Sequence, residues 1–244
     1  MTRLGRHVPL VVGMWVLGAL PALAHEDTFA WTYPYMTPDR GERELELRTV
    51  MGSASGYQKN ELELEWGVTD RFSIAPYVVF ARDNGGEALH ADALKLELRG
   101  RLADPGAWPV DVGGYLEVEY TLAPDDPKAL ESKLILERDW GPWTIGANAI
   151  LTQLTGASSD TLYGGTLGLA YAVASQWTVG VEALSGRAAT DISPDPTDRR
   201  AMGTYVGPSL AGYFGAAHLN LAIAGGVTPG SDPVLARLQL STEF

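Results

Sequence analysis

Apolar and polar residues alternate along most of this chain. In Glu61-Leu62-Glu63-Leu64-Glu65-Trp66 the carboxylates fall on one face of an extended segment and the large apolar groups on the other, a division that a helix would scatter. Leu94-Lys95-Leu96-Glu97-Leu98-Arg99, Leu116-Glu117-Val118-Glu119-Tyr120 and Leu238-Gln239-Leu240-Ser241-Thr242-Glu243-Phe244 repeat it. Followed through the sequence, the pattern predicts about twelve strands, within a range of roughly ten to fourteen. They fall near residues 42–50, 60–67, 71–81, 91–102, 110–121, 130–140, 143–153, 162–173, 177–185, 204–214, 217–225 and 235–244. The expected fold class is therefore all-β.

The connections alternate too. Gly67-Val68-Thr69-Asp70, Gly141-Pro142, Ala174-Ser175-Gln176 and Gly215-Ala216 are tight, with 103–109 somewhat longer, while 83–87, 123–128, 186–200 and 228–233 are longer, polar and rich in Gly, Pro or Asp. Bacterial outer-membrane barrels sort their connections this way, with short turns in the periplasm, long loops outside and an even number of antiparallel strands. Aromatic residues gather at the tight turns: Trp66, Phe72, Trp108, Trp140, Trp143, Tyr171, Trp177 and Phe214. Amphipathic rings favour the headgroup boundary, so these eight form a candidate interfacial girdle. An antiparallel transmembrane β-barrel over 42–244 is the expectation, and the terminal Phe244 matches the signal read by outer-membrane assembly machinery.

The first residues agree with export. Arg3 and Arg6 precede the apolar run 8–20, and Ala22-Leu23-Ala24 is the small-x-small pattern of a cleavage site. Residues 1–24 read as a cleavable signal peptide, and 25–41 as a periplasmic segment before the barrel. Removing two of 18 basic and none of 30 acidic residues leaves 16 against 30, a net charge of −14, which repels nucleic acid. There is no cysteine, so neither disulfides nor thiolate metal sites contribute.

In a barrel the charged faces point into the lumen. Glu61, Glu63, Glu65, Lys95, Glu97, Arg99, Arg101, Glu117, Glu119, Lys133, Glu137 and Glu182 are the expected lumen-facing charges. Two roles stay open for them: a plug of ion pairs, or the lining of a polar conduit. The later strands place small residues on the same face, Gly164, Thr166, Gly168, Ala170, Thr178 and Gly180, so long groups from one wall could fill space left by the other. Any passage would be narrow and off-centre.

Catalytic and metal chemistry find little support. His25 at a mature N-terminus could bind copper through its imidazole and amine, but His90 and His218 lack metal-ligand spacing to it. No Ser-His-acid constellation is visible, and the glycine pairs lie in strands, where curvature or close packing explains them. No cofactor is implied, and an enzyme acting on lipid is the least favoured reading.

Glu65-Trp66-Gly67-Val68-Thr69-Asp70-Arg71-Phe72 resembles the hairpin of outer-membrane transporter-like barrels related to the phenol meta-pathway proteins. Phe29-Ala30-Trp31-Thr32-Tyr33 followed by Arg40-Gly41-Glu42-Arg43-Glu44-Leu45-Glu46 is similar to the start of such chains. That resemblance implies a narrow barrel passing or binding small, hydrophobic or aromatic molecules. A closed, charge-filled barrel that serves structure or surface interaction is the alternative.

Overall fold

The computed structural model describes residues 28–82, 84–156, 159–190 and 203–244. The signal peptide, His25 and residues 191–200 of the longest loop lie outside the described residues. Those described form β1 (Arg43–Gly52), β2 (Gln58–Thr69), β3 (Phe72–Arg82), β4 (His90–Arg101), β5 (Asp111–Thr121), β6 (Lys128–Trp140), β7 (Trp143–Thr155), β8 (Thr161–Ala174), β9 (Trp177–Ser185), a single helical turn α1 (Arg187–Thr190), β10 (Thr204–Phe214), β11 (Ala217–Gly226) and β12 (Val234–Glu243). Each strand pairs antiparallel with its sequence neighbour, and β1 pairs with β12 to close the barrel. Closure leaves no unpaired edge, the condition for backbone polar groups to cross hydrocarbon.

Burial follows the sequence alternation. Along β2, Lys59, Glu61, Glu63 and Glu65 are buried inside while Leu62, Leu64 and Trp66 are exposed outside. Register carries the division around the barrel: Leu62 lies opposite Leu47 and Val78, and Leu96 opposite Val118 and Pro76. The result is an outer band of Leu, Ile and Val, whose exposed apolar surface suits lipid.

Residues 28–39 depart from the expected arrangement. Expected as a periplasmic segment before the barrel, they turn into the lumen, where Phe29, Ala30, Trp31, Thr32, Tyr35 and Thr37 are buried. It descends to the short-turn end at Asp39, passes Gly41, whose N–H bonds the Gly67 carbonyl at 2.7 Å, and enters β1. A second piece enters from the opposite end. The start of the long loop after β9, expected at the surface, folds inward as α1, with Ala188, Ala189 and Thr190 buried. Trp31 meets Ala188 and Ala189 in an apolar cluster with Leu154, Leu184, Tyr205 and Leu235.

Candidate functional site

The barrel interior has two unlike halves. On β1 to β6 the inward positions carry long charged groups that bond one another across strands. Arg48 contacts Glu61 and Glu63, both at 3.2 Å, together with Glu46. Lys95 reaches Glu61 at 3.2 Å, Glu117 at 3.1 Å and Glu119 at 3.0 Å, and Arg99 holds Glu65 at 2.6 Å. Tyr77 donates to Glu97 at 2.9 Å and Tyr115 to Glu117 at 2.6 Å. Lys133 lies 2.9 Å from Glu131 and over the rings of Tyr33 and Tyr115, 3.5 and 3.7 Å from their centres. Opposed charges with this many hydrogen bonds offset their loss of hydration, which isolated charges could not do.

The lumen-facing candidates thus fall into groups. Glu61, Glu63, Glu65, Lys95, Glu97, Arg99, Glu117 and Lys133 are buried in the network. Glu119 is half-buried and joined through Lys95. Glu137 accepts the Tyr35 N–H at 3.3 Å. Arg101 sits at the short-turn rim, against the Met36 sulfur and the Asp70 carbonyl. Alternation also marks Glu46, Arg48 and Arg237, which the candidate set omitted although each occupies an inward position of a predicted strand, and Lys59 joins them because β2 begins earlier than expected, at Gln58. Tyr77 and Tyr115 were missed, although alternation places Tyr115 on the same face as Glu117 and Glu119.

The other half, β7 to β10, is lined largely by small residues. One row of register partners runs Gly146, Gly168, Glu182, Gly207 across these four strands. Glu182 has no exposed surface, and its carboxylate accepts three consecutive backbone N–H groups: Ala30 at 2.8 Å on one oxygen, Trp31 at 2.8 Å and Thr32 at 2.9 Å on the other. Successive N–H groups converging on one anion make a backbone nest. Asn148 adds a two-way bond to Tyr33, accepting its N–H at 2.7 Å and donating to its carbonyl at 3.1 Å. The Phe29 ring lies against Gly146 and Gly168: a Cβ built on Gly168 would stand 2.5 Å from two ring carbons, closer than packing permits. Glycine at these positions is what lets the ring seat.

Small voids remain between the halves. One of about 20 Å³ borders Tyr33, Arg48 and Glu97, and one of about 70 Å³ borders Lys95, Leu154 and Ala188. These have room for one water and for a few waters respectively, since a water needs roughly 10–15 Å³ measured this way. A wider recess of about 250 Å³ opens at the short-turn end beside Tyr213 and His218. Among the described residues no group of three His, Asp or Glu is placed to hold a metal.

Outside, Trp66, Phe72, Trp140, Trp143, Tyr171 and Phe214 are exposed at the short-turn end, with Trp177 half-buried and Trp108 exposed in the β4–β5 turn. Trp143 packs edge-on to Tyr171 at 4.7 Å, and Trp177 to Phe214 at 4.9 Å. Phe80, Tyr120 and Tyr163 are exposed toward the other end. Phe244 is exposed, its N–H bonded to the Arg43 carbonyl at 2.9 Å.

A closed antiparallel barrel with an apolar outer band, aromatic residues toward both rims and a polar interior is an outer-membrane β-barrel. No protein-family model and no curated protein matches the chain. Solved structures similar to it include the COG4313 outer membrane channel from Pseudomonas putida F1, with TM-score 0.62 and 12% identity over 86% of this chain and 98% of that one. The NanC porin matches with TM-score 0.55 and 13% identity over 81% and 98%. A KdgM porin in complex with disordered oligogalacturonate matches with TM-score 0.53 and 9% identity over 82% and 98%. At such identities the likeness is one of fold.

Proposed function

We propose that the protein is a narrow outer-membrane channel for small molecules, closed at rest by its own residues 28–39. The observation that carries this reading is the division of the inner wall. β1 to β6 fill their half with their own side chains, whereas β7 to β10 present mainly glycine, alanine and threonine, with Leu154, Leu184 and Tyr205 packed toward the long-loop end, and the remaining space is taken by residues 28–39 and α1, which belong to no strand. Closure by such a piece is reversible without unfolding the barrel. Likeness to porins and a channel supports passage, and the resemblance to the phenol meta-pathway barrels supports small, hydrophobic or aromatic cargo. A polyanion such as the oligogalacturonate of the KdgM complex suits this lumen poorly, because eight buried carboxylates on the strands face six buried bases. Phe244 is assigned to recognition by the assembly machinery.

The test uses the cysteine-free background. Cysteines at Thr32 and Gly146, where a Cβ would stand 3.0 Å from the Thr32 γ-carbon, are close enough for a disulfide once Phe29→Ala makes room beside them. Planar-bilayer recordings should show openings under reducing conditions that oxidation suppresses. Identical traces in both states would overturn the proposal. Silence in both would favour the second reading, a permanently closed structural barrel, to which the small internal voids lend support.

A further inference from the structure

Glu182 is a buried anion on a wall that offers it little. Both register partners are glycine, Gly168 on β8 and Gly207 on β10, and Arg237 on β12 lends only a favourable field. Its hydrogen bonds to the segment come from three N–H groups, and one residue away the Phe29 ring occupies the slot made by Gly146 and Gly168. The segment therefore meets the wall as a small ligand would, with a ring and a cluster of N–H donors whose nearest member is three carbons away, through the Phe29 Cβ, Cα and carbonyl carbon. A wall built only to be sealed would be served by larger apolar groups here, and the cost of burying a carboxylate would not arise.

Resting on the reading of residues 28–39 as removable, we infer that the row Gly146, Gly168, Glu182, Gly207 is a binding site for small aromatic ammonium ions. The ring takes the glycine slot, and the protonated amine places its N–H donors on Glu182 where the peptide N–H groups now lie. An aromatic carboxylate offers the same ring with the wrong charge. A neutral hydrocarbon fills the slot but leaves the carboxylate without donors, which costs binding. The segment and the ligand compete for one anion, so cargo of this class favours the open state.

Isothermal titration calorimetry of phenethylammonium chloride into the refolded protein tests the site. Ala30→Pro with Thr32→Pro removes two of the three N–H donors and leaves the wall untouched, since proline has no N–H. Phe29→Ala, which empties the slot alone, is the second released variant; heat-dependent gel migration verifies folding of both. Saturable binding is expected, with phenylacetate weaker by about tenfold or more and with Glu182→Gln, added to either variant, weakening the ammonium ion by about tenfold. Equal affinity for cation and anion, indifference to Glu182→Gln, or no saturable heat in either variant overturns the assignment. Calorimetry reads binding and not passage: a barrel that binds the ammonium ion but never conducts refutes the channel and keeps the site, and the converse result refutes the site alone.

Discussion

Replacing Glu182 by glutamine should release the N-terminal segment while leaving the barrel folded. The carboxylate serves three N–H donors through two oxygens, at 2.8 to 2.9 Å. Glutamine keeps one oxygen and turns an NH2 toward the donors that lose theirs. Hydrogen bonds to a charged group contribute about 1.5–3 kcal/mol, against about 0.5–1.5 for neutral pairs. Weakened and mismatched contacts together should cost the segment about 2–4 kcal/mol, raising its released population by roughly 30- to 1000-fold. The wall responds differently, because a neutral side chain at this buried position no longer bears the cost of a desolvated charge. Barrel unfolding in urea should therefore shift little or toward greater stability. Hydrogen exchange read by mass spectrometry over a peptide spanning residues 28–39 should accelerate by the same factor as the released population, since exchange there reports local opening. Unchanged exchange with a lowered unfolding midpoint would refute the reasoning, for it would place the role of Glu182 in the wall and not in holding the segment.

Three further outcomes follow from the same geometry. Gly168→Ala puts a methyl 2.5 Å from the Phe29 ring and should expel that residue and raise exchange at Trp31 and Thr32, whereas in a Phe29→Ala background the same change should add no further exchange; an equal increase in both backgrounds would deny the slot. Leu96, 43% exposed to the outside, and Glu97, 1% exposed within, sit side by side, and Leu96→Arg should weaken folding into vesicles by about 2–4 kcal/mol if it lies near the bilayer midplane, more than Glu97→Gln does. At the long-loop end, burial would raise the pKa of Asp232, but hydrogen bonds from the Ala54 and Ser55 N–H groups and the Ser53 and Ser55 hydroxyls outweigh it and hold the carboxyl below its usual 3.8. A depressed native value gives stability that is present above the unfolded pKa and lost as pH falls through the native one. Asp232→Asn should then lower the thermal midpoint at neutral pH, with the difference from the parent shrinking once pH drops below 3.8; a gap that persists in acid would mean that ionisation of Asp232 is not its source.

The strands were legible because alternation with period two is a direct print of a wall with unlike faces. Leu62-Glu63-Leu64-Glu65 needs no partner to declare which residues point together, and the twelve predicted segments overlap the observed strands with ends displaced by a few residues. Ion-pair partners were not legible. Lys95 on β4 bonds Glu61 on β2, two strands away, a pairing set by the curvature of the closed wall and not by adjacent register. The inward α1 was hidden as well, since Arg187-Ala188-Ala189-Thr190 looks like any loop when read without the groove it fills.

Residues 28–39 were the largest omission, and the reason is physical. Their order comes from contacts at sequence separations above a hundred, to Asn148 and Glu182, so no local period marks them. The wall nevertheless held a sign of their presence. A carboxylate at position 182 stands in an inward row with glycines at 146, 168 and 207, and none of the inward residues on β8 or on β10 is basic. An acid that faces a lumen among small neighbours must take donors from something that is not the adjacent wall, because an unpaired buried charge is too costly to keep. The same small neighbours specify the size of that something: a backbone and one ring, with no space for a further strand. Read in that direction, a half-wall of glycine around one glutamate is itself a statement that the barrel is filled by a separate piece, and that the piece presents N–H groups to it.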